Sequence, residues 1–322
     1  MKIKCTLMAA IFALGTAAGS AGAIDIVDAQ WLKKNINDPK IHVVEVPTKG
    51  ESISGEHIAG HMHIPNTVVV NRYLDLGNVY AIPPTLYPAK DQFENLMARI
   101  GVSNDDTIVA YDDKYGIFAS RLLVVMEHYG HDTSKLKLLD GGVVHWKKLG
   151  YPLVDKHADI KPARYTVVKM NPNVITWSDV YRDTVAGQSP NILLLDVRPA
   201  AEFNAEEIRS IRGGHIPGAI NVTGTLANDK DEHTFKSVDE IRKIFADAGV
   251  TTDKTIYQYC HSGDRTAHAY IVLKTLLGFK DIKIYPGSWS EWSTILSLPV
   301  EEEVWYGERL GENGKKVSMV SK

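Results

Sequence analysis

Cysteine is nearly absent: the 322 residues hold only Cys5 and Cys260. Two such distant thiols exclude a disulfide framework and a cysteine-rich metal cage. A surplus of positive charge is lacking too, with 36 Lys and Arg against 39 Asp and Glu, a formal net charge of −3. No broad basic surface is available to release counterions from a phosphate backbone, so nucleic acid is not an expected partner. Long apolar runs are missing as well. The one candidate, Leu7–Ala18, is shorter than the roughly 20 residues a membrane span requires. What is present is the composition of a globular protein with a full core: 44% hydrophobic and 23% charged residues.

The amino terminus reads as a leader. Lys2 and Lys4 precede the apolar stretch, and Ala21-Gly22-Ala23 supplies small residues for cleavage, the pattern of a secretory signal peptide over residues 1–23. Its removal takes two lysines away and the net charge to −5. The expected mature protein is periplasmic or secreted and has no membrane span. Cys5 leaves with the leader, so Cys260 stands alone in a compartment that oxidises thiols. It cannot form an internal disulfide, and is a buried hydrophobe, an intermolecular crosslink or a reactive group.

An internal repeat organises the rest. Thr107–Asp112, a polar turn with glycine, and an apolar stretch from Phe118 to Gly130 recur as Thr255–Cys260, a similar turn, and Thr266 to Gly278. Asp112 and Cys260 thus hold equivalent places. Residues 41–46 and 192–197 match as buried strands, Gly60-His61 through Ile64-Pro65 is a looser form of the run 214–219, and Asp140 to Trp146 corresponds to Pro286 to Trp292. Helices are expected over 89–100 and 237–248, the second opened by the capping box Ser237 to Glu240. Strands alternating with helices predict an α/β protein of two similar domains, each a parallel sheet flanked by helices. The boundaries fall at 24–151 and 173–322, with an extended linker over 152–172, where Pro152, Pro162 and Pro172 lie. Thr176 or Ser178 is placed to cap the first helix of the second domain.

The segment that carries chemistry is Cys260-His261-Ser262-Gly263-Asp264-Arg265-Thr266. It joins a buried strand to a helix, where backbone N–H groups turn inward and the helix dipole adds positive charge. A sulfur held there is favoured as thiolate, and an anion bound to it is favoured as well. Gly263 allows the chain to curl. Arg265 either adds charge at the anion or pairs with a structural carboxylate. Asp264 weakens anion binding if it points inward and is neutral if it points to solvent. His261 is a group for steering or protonating a leaving group, or an incidental loop residue.

With this loop, Asp196-Val-Arg198, Glu202-Phe203, the run Gly-His-Ile-Pro-Gly-Ala at 214–219, and Gly-Ser-Trp-Ser-Glu-Trp at 287–292, the chain resembles the tandem-domain rhodaneses, thiosulfate or mercaptopyruvate sulfurtransferases of the exported bacterial type. The resemblance spans essentially the whole mature length. It implies a catalytic second domain and a first domain without the cysteine, as Asp112 fits. It also implies covalent, ping-pong sulfur transfer. Cys260 takes the outer sulfur of a small anionic donor such as thiosulfate, and the persulfide passes it to cyanide, a thiol or a protein. No cofactor is required. Cys260 and Arg265 are then catalytic, and His261, Ser262, Gly263, Asp264, Thr266 and Trp289 form the substrate site. Asp196, Arg198 and Glu202 form a supporting ion network.

Some animal members carry arginine where Glu202 stands, and the loop matches neither the Cys-Gly-Ser/Thr-Gly-Val nor the Cys-Arg-Lys-Gly-Val pattern of the family. Donor choice is thereby left open. Two alternatives stand beside the enzyme: a periplasmic persulfide carrier that delivers sulfur to a partner, and a phosphatase-like or arsenate-reductase-like enzyme. The last normally has five residues between its cysteine and arginine, whereas four separate Cys260 from Arg265; the smaller cradle suits a sulfur atom better than a phosphate. His57, His61 and His63, with His215 elsewhere, complete no usual ligand set. Gly55, Gly60 and Pro65 resist the helix that would align them, so no metal is expected.

Overall fold

The computed structural model describes residues 22–49, 61–306, 308–310 and 316–318. The proposed leader, apart from Gly22 and Ala23, lies outside the described residues, as does His57. Immediately after the expected cleavage point the chain is already anchored: Ile24 is buried, and its carbonyl accepts from Thr275 Oγ1 at 2.8 Å.

The first half runs β1 (Asp25–Val27), α1 (Ala29–Asn35), β2 (Ile41–Glu45), β3 (Thr67–Val69), α2 (Lys90–Arg99), β4 (Thr107–Tyr111), α3 (Ile117–His128), β5 (Leu136–Leu139) and α4 (Gly142–Lys148). Its five strands form one all-parallel sheet in the order β1-β5-β4-β2-β3. Residues 152–172 carry no helix or strand, and Val154 bridges to His63 there.

The second half runs α5 (Trp177–Val180), β6 (Ile192–Asp196), α6 (Ala200–Phe203), β7 (Arg212–His215), β8 (Ile220–Asn221), α7 (Val238–Asp247), β9 (Thr255–Tyr259), α8 (Asp264–Ile271), β10 (Ile282–Ile284) and α9 (Ser288–Trp292). Beyond these, β11 (Glu301–Trp305) pairs antiparallel with β7, and β12 (Glu308–Leu310) pairs with β13 (Lys316–Ser318). The main sheet is parallel, in the order β10-β9-β6-β8. Thr176 caps α5 by accepting from Asp179, and Ser237 forms a reciprocal capping box with Glu240.

The repeat is visible in the hydrogen bonds. Glu45 lies beside Tyr111 in register, as Asp196 lies beside Tyr259. The Tyr111 hydroxyl accepts from Ile64 N and that of Tyr259 from Ile216 N, both at 3.1 Å. His63-Ile64-Pro65 is therefore the counterpart of His215-Ile216-Pro217, two residues along from the match that His61 suggests by sequence.

The halves share one core. Leu122 and Val125 of α3 and Ala267, Tyr270 and Ile271 of α8 belong to a single buried apolar cluster, and the two helices pack together. Each follows the junction that repeats, so the packing sets the Asp112 and Cys260 loops on either side of one interface. Glu127 of α3 accepts from Tyr270 Oη at 2.9 Å and from Lys274. Arg121, buried among apolar neighbours on α3, donates to the carbonyls of Leu76, Thr85 and Ser262. A guanidinium in that position is tolerated because its donors meet carbonyl oxygens.

At the first junction the Asp112 carboxylate collects four backbone N–H groups: Lys114 at 2.7 Å, Gly116 at 2.9 Å, Phe118 at 2.7 Å and Ala119 at 3.0 Å. Burial raises its carboxyl to about 6 even against the opposing pull of the four donors. Asp112→Ala leaves these buried donors without their acceptor. It is expected to cost about 3 kcal/mol, read as a lower urea midpoint with an unchanged denaturant slope.

Candidate active site

Cys260 ends β9, the strand paired on both sides, and is fully buried. Its backbone N–H donates to Ser288 Oγ at 3.2 Å, and its carbonyl accepts from Trp289 N at 2.9 Å. These bonds fix the start of the loop against α9. The chain then turns back so that Gly263 N–H points at Cys260 Sγ, 3.1 Å away. Gly263 makes the turn at φ +86°, the left-handed region that favours glycine. A Cβ there would also press on Arg121 Nη1 and Pro286 O, both at 2.9 Å. Helix α8 begins at the next residue, so its amino end faces the sulfur.

The arginine of the loop is held by a carboxylate. Arg265 donates to Glu202 Oε1 at 2.7 Å and Oε2 at 3.2 Å, and Arg209 adds a bond to Oε1 at 3.0 Å. Burial alone would raise the Glu202 carboxyl, but these arginines bring it below its usual value. Burial would likewise weaken the charge on Arg265; Cys260 and Glu202 hold it, and its pKa is raised. Behind this pair, Arg198 grips Asp196 with bonds of 2.6–3.0 Å and donates to Gly214 O, all of it buried.

A cleft of about 510 Å³ opens above the loop. The second half lines it with Arg209, His261, Ser262, Asp264 and Arg265, and the first half with Arg72, Tyr115 and Phe118 among others. Cys260 lies beneath this floor, so only a small atom can be handed down to it. Asp264 is nearly buried and faces the first half, where Arg72 Nη1 is 3.1 Å and Arg121 Nη1 3.6 Å from its carboxylate; Ser262 Oγ donates at 3.1 Å. Neither orientation foreseen for it applies. Two arginines supplied by the other half neutralise it across the interface. His261 is pushed down to about 4, by burial first and then by Arg209, against the opposing pull of Glu202. It is a neutral imidazole at pH 7 and no proton donor.

The arrangement is a cysteine sulfur at a helix amino end, in a cradle closed by glycine, under a cleft rich in arginine. A model of the rhodanese-like domain matches residues 28–149 and again 183–295. The chain belongs to the rhodanese family.

Among its relatives, the sulfur carrier protein TtuD of Thermus thermophilus is 31% identical over 284 residues, covering 85% of this chain and 95% of that protein. The 3-mercaptopyruvate sulfotransferase SseA of Escherichia coli superposes with a TM-score of 0.71 at 29% identity, covering 83% of this chain and 99% of that one. The Tum1 protein of Saccharomyces cerevisiae shares the fold, with a TM-score of 0.73 at 18% identity over 87% of this chain and 99% of that one.

Within this rhodanese site, His261, Ser262, Asp264 and Arg265 reach the cleft. Three residues expected at the substrate do not. Trp289 is buried, donates to Arg212 O at 3.0 Å and stacks beneath Arg198, so it is core. Thr266 is fully buried within α8 and does not line the cleft. Gly263 shapes the loop and does not line the cleft. Three arginines went unnoticed in the sequence. Arg121 had a signal, as a lone cation inside an apolar helical run. Arg72 had none, because 188 residues separate it from Cys260. Arg209 could be read only as one of several polar residues ahead of β7.

His261 and the fully buried His268, also pushed down to about 4 by burial, set a pH dependence. Between pH 4 and the ordinary value of about 6.5, the unfolded chain binds more protons than the folded one. The stability these groups give is therefore present above pH 6.5 and lost as pH falls toward 4. His261→Gln is expected to lose less melting temperature than the parent protein between pH 7 and 5, measured by scanning calorimetry at matched ionic strength.

Proposed function

We propose that this protein is a sulfurtransferase working through a persulfide on Cys260. The observation that carries the reading is the pair of matched junctions. In the first half the nest is filled by a carboxylate that four N–H groups hold, and in the second a cysteine sulfur stands in the same place with Gly263 N–H on it. A nest that holds a built-in anion in one domain suits an anionic sulfur in the other.

In the first step the Cys260 thiolate attacks the outer sulfur of thiosulfate. A new S–S bond forms to Cys260 while the bond to the sulfite sulfur breaks, and sulfite leaves with the electron pair. Cys260 then carries a persulfide anion, with the Gly263 N–H, the amino end of α8 and the Arg265 guanidinium around it. In the second step an acceptor such as cyanide attacks the terminal sulfur, thiocyanate departs, and the thiolate returns. Arg209 and Arg72, on the cleft wall, supply the charge that draws an anionic donor, a task for which Glu202 is unsuited. His261, neutral, offers hydrogen bonds without adding charge. The leader pattern assigns this activity to the periplasm or the exterior.

A carrier role is the second reading, favoured by the likeness to the sulfur carrier protein TtuD. Fast transfer to a partner protein with slow turnover on cyanide would mark it. The cradle of four residues disfavours phosphate chemistry, and aryl-phosphate hydrolysis that requires Cys260 would reverse that judgement.

The deciding measurement is intact mass of the protein purified from cells expressing the full chain. Thiosulfate is expected to add one sulfur atom and cyanide to remove it, while Cys260→Ser gains nothing and loses transfer by at least about a thousandfold. The same spectrum reports whether residues 1–23 have been removed. No added sulfur from thiosulfate, mercaptopyruvate or a small persulfide would end the sulfurtransferase reading.

A further inference from the structure

The two halves differ at one buried position in a way sulfur transfer does not use. In the second half the carboxylate at the end of β6, Asp196, is neutralised by Arg198 two residues on. In the first half the matching carboxylate is Glu45, fully buried, and the residue two along is Pro47. A buried carboxylate without its arginine needs another cation.

Histidines gather there instead. His61 Nε2 is 3.1 Å from Glu45 Oε1, and His63 Nδ1 is 2.6 Å from Oε2. The ligand atoms of Glu45, His61 and His63 all lie within 4.8 Å of one another. A third imidazole stands beside them: the His63–Val154 bridge draws the connecting segment in, and His157 packs edge-on to His63 with ring centroids 4.7 Å apart. The rings of His61 and His63 are 4.6 Å apart. His215, once considered with them, is elsewhere, on Phe203 O and Glu301.

The geometry points to a divalent transition-metal site built from Glu45, His61 and His63, with His157 as the fourth group, and to zinc as the ion it fits best. Two or three imidazole nitrogens with one carboxylate oxygen are borderline donors, which select zinc over calcium or magnesium. Bonds of about 2 Å in a tetrahedron place neighbouring ligand atoms roughly 3.3 Å apart; His61 and Glu45, at 3.1 Å, are close to that, and His63 and Glu45, at 2.6 Å, would open as the ion enters. The ion would replace the hydrogen bonds from the imidazoles to Glu45. It would do for the first half what Arg198 does for the second, tying the end of β2 to the segment before β3 and to residue 157. No helix is needed to align the ligands, because the sheet edge and the Val154 bridge bring them together. The role is structural.

The test uses the full chain carrying Cys260→Ser, so that the catalytic thiol cannot bind the metal. After chelator treatment and dialysis, zinc chloride is titrated by calorimetry, and bound metal is counted by mass spectrometry after gel filtration. One zinc per chain is expected, with a rise in melting temperature and, with cobalt, the visible bands of a tetrahedral nitrogen–oxygen site. His61→Ala is expected to weaken zinc binding at least tenfold, and Glu45→Gln, which preserves shape, serves as the second variant. With Cys260 restored, both variants are expected to load the persulfide as the parent does, which shows that they fold. No retained zinc, or binding that neither variant weakens, would overturn the assignment.

Discussion

Everything in this protein is arranged around two side chains buried where a central strand gives way to a helix, the carboxylate of Asp112 and the sulfur of Cys260. Asp112 and Cys260 occupy the same point of two similar sheets, and in each case backbone N–H groups supply the compensation that water would give at the surface. Such a site must be dry and rigid to act. The parallel strands on both sides provide the first property, and the helices α3 and α8 provide the second. The first domain fills the nest with a carboxylate; the second places a cysteine sulfur there.

That pairing explains why a domain without the cysteine is retained. Helix α3 packs against α8, and Arg121 reaches from it to the carbonyl of Ser262 inside the reactive loop. Arg72 and Arg121 then neutralise Asp264, which alone would place a like charge beside the sulfur. The first domain thus sets both the shape and the charge of the loop. Its Arg72, Tyr115 and Phe118 also form one wall of the cleft, so the site is shared between domains although the nucleophile belongs to one.

Charge around the sulfur is graded. Arg265 is tethered to Glu202, which is tethered to Arg209 in turn. The tether orients the guanidinium, and the second arginine offsets part of what Glu202 takes away. His261 stays neutral through burial and its arginine neighbours. The resulting cradle lies under a cleft lined by Arg72, Arg209 and Arg265.

Much of this was legible in the order of residues. The repeat of Thr107–Asp112 in Thr255–Cys260, the period of strands and helices, the Ser237 cap, and the spacing from Cys260 to Arg265 follow from local chain chemistry: strand propensity, capping and the turn that Gly263 permits are decided within a few residues. These features by themselves point to a two-domain α/β rhodanese. The side-chain environments were another matter. Trp289 reads as a candidate pocket wall but is core, because its indole N–H is spent on Arg212 O and its ring packs against Arg198. Asp264 was undecidable, because the groups that neutralise it come from residues 72 and 121. His61 and His63 gave no sign of a common partner, because the Glu45 carboxylate that both of them reach stands on a strand 16 and 18 residues away. Sequence determines what each short segment can become, because that depends on neighbours along the chain. Which charges meet, and which faces close, is decided by packing between segments far apart in sequence, since burial and Coulombic interaction depend on distance in space.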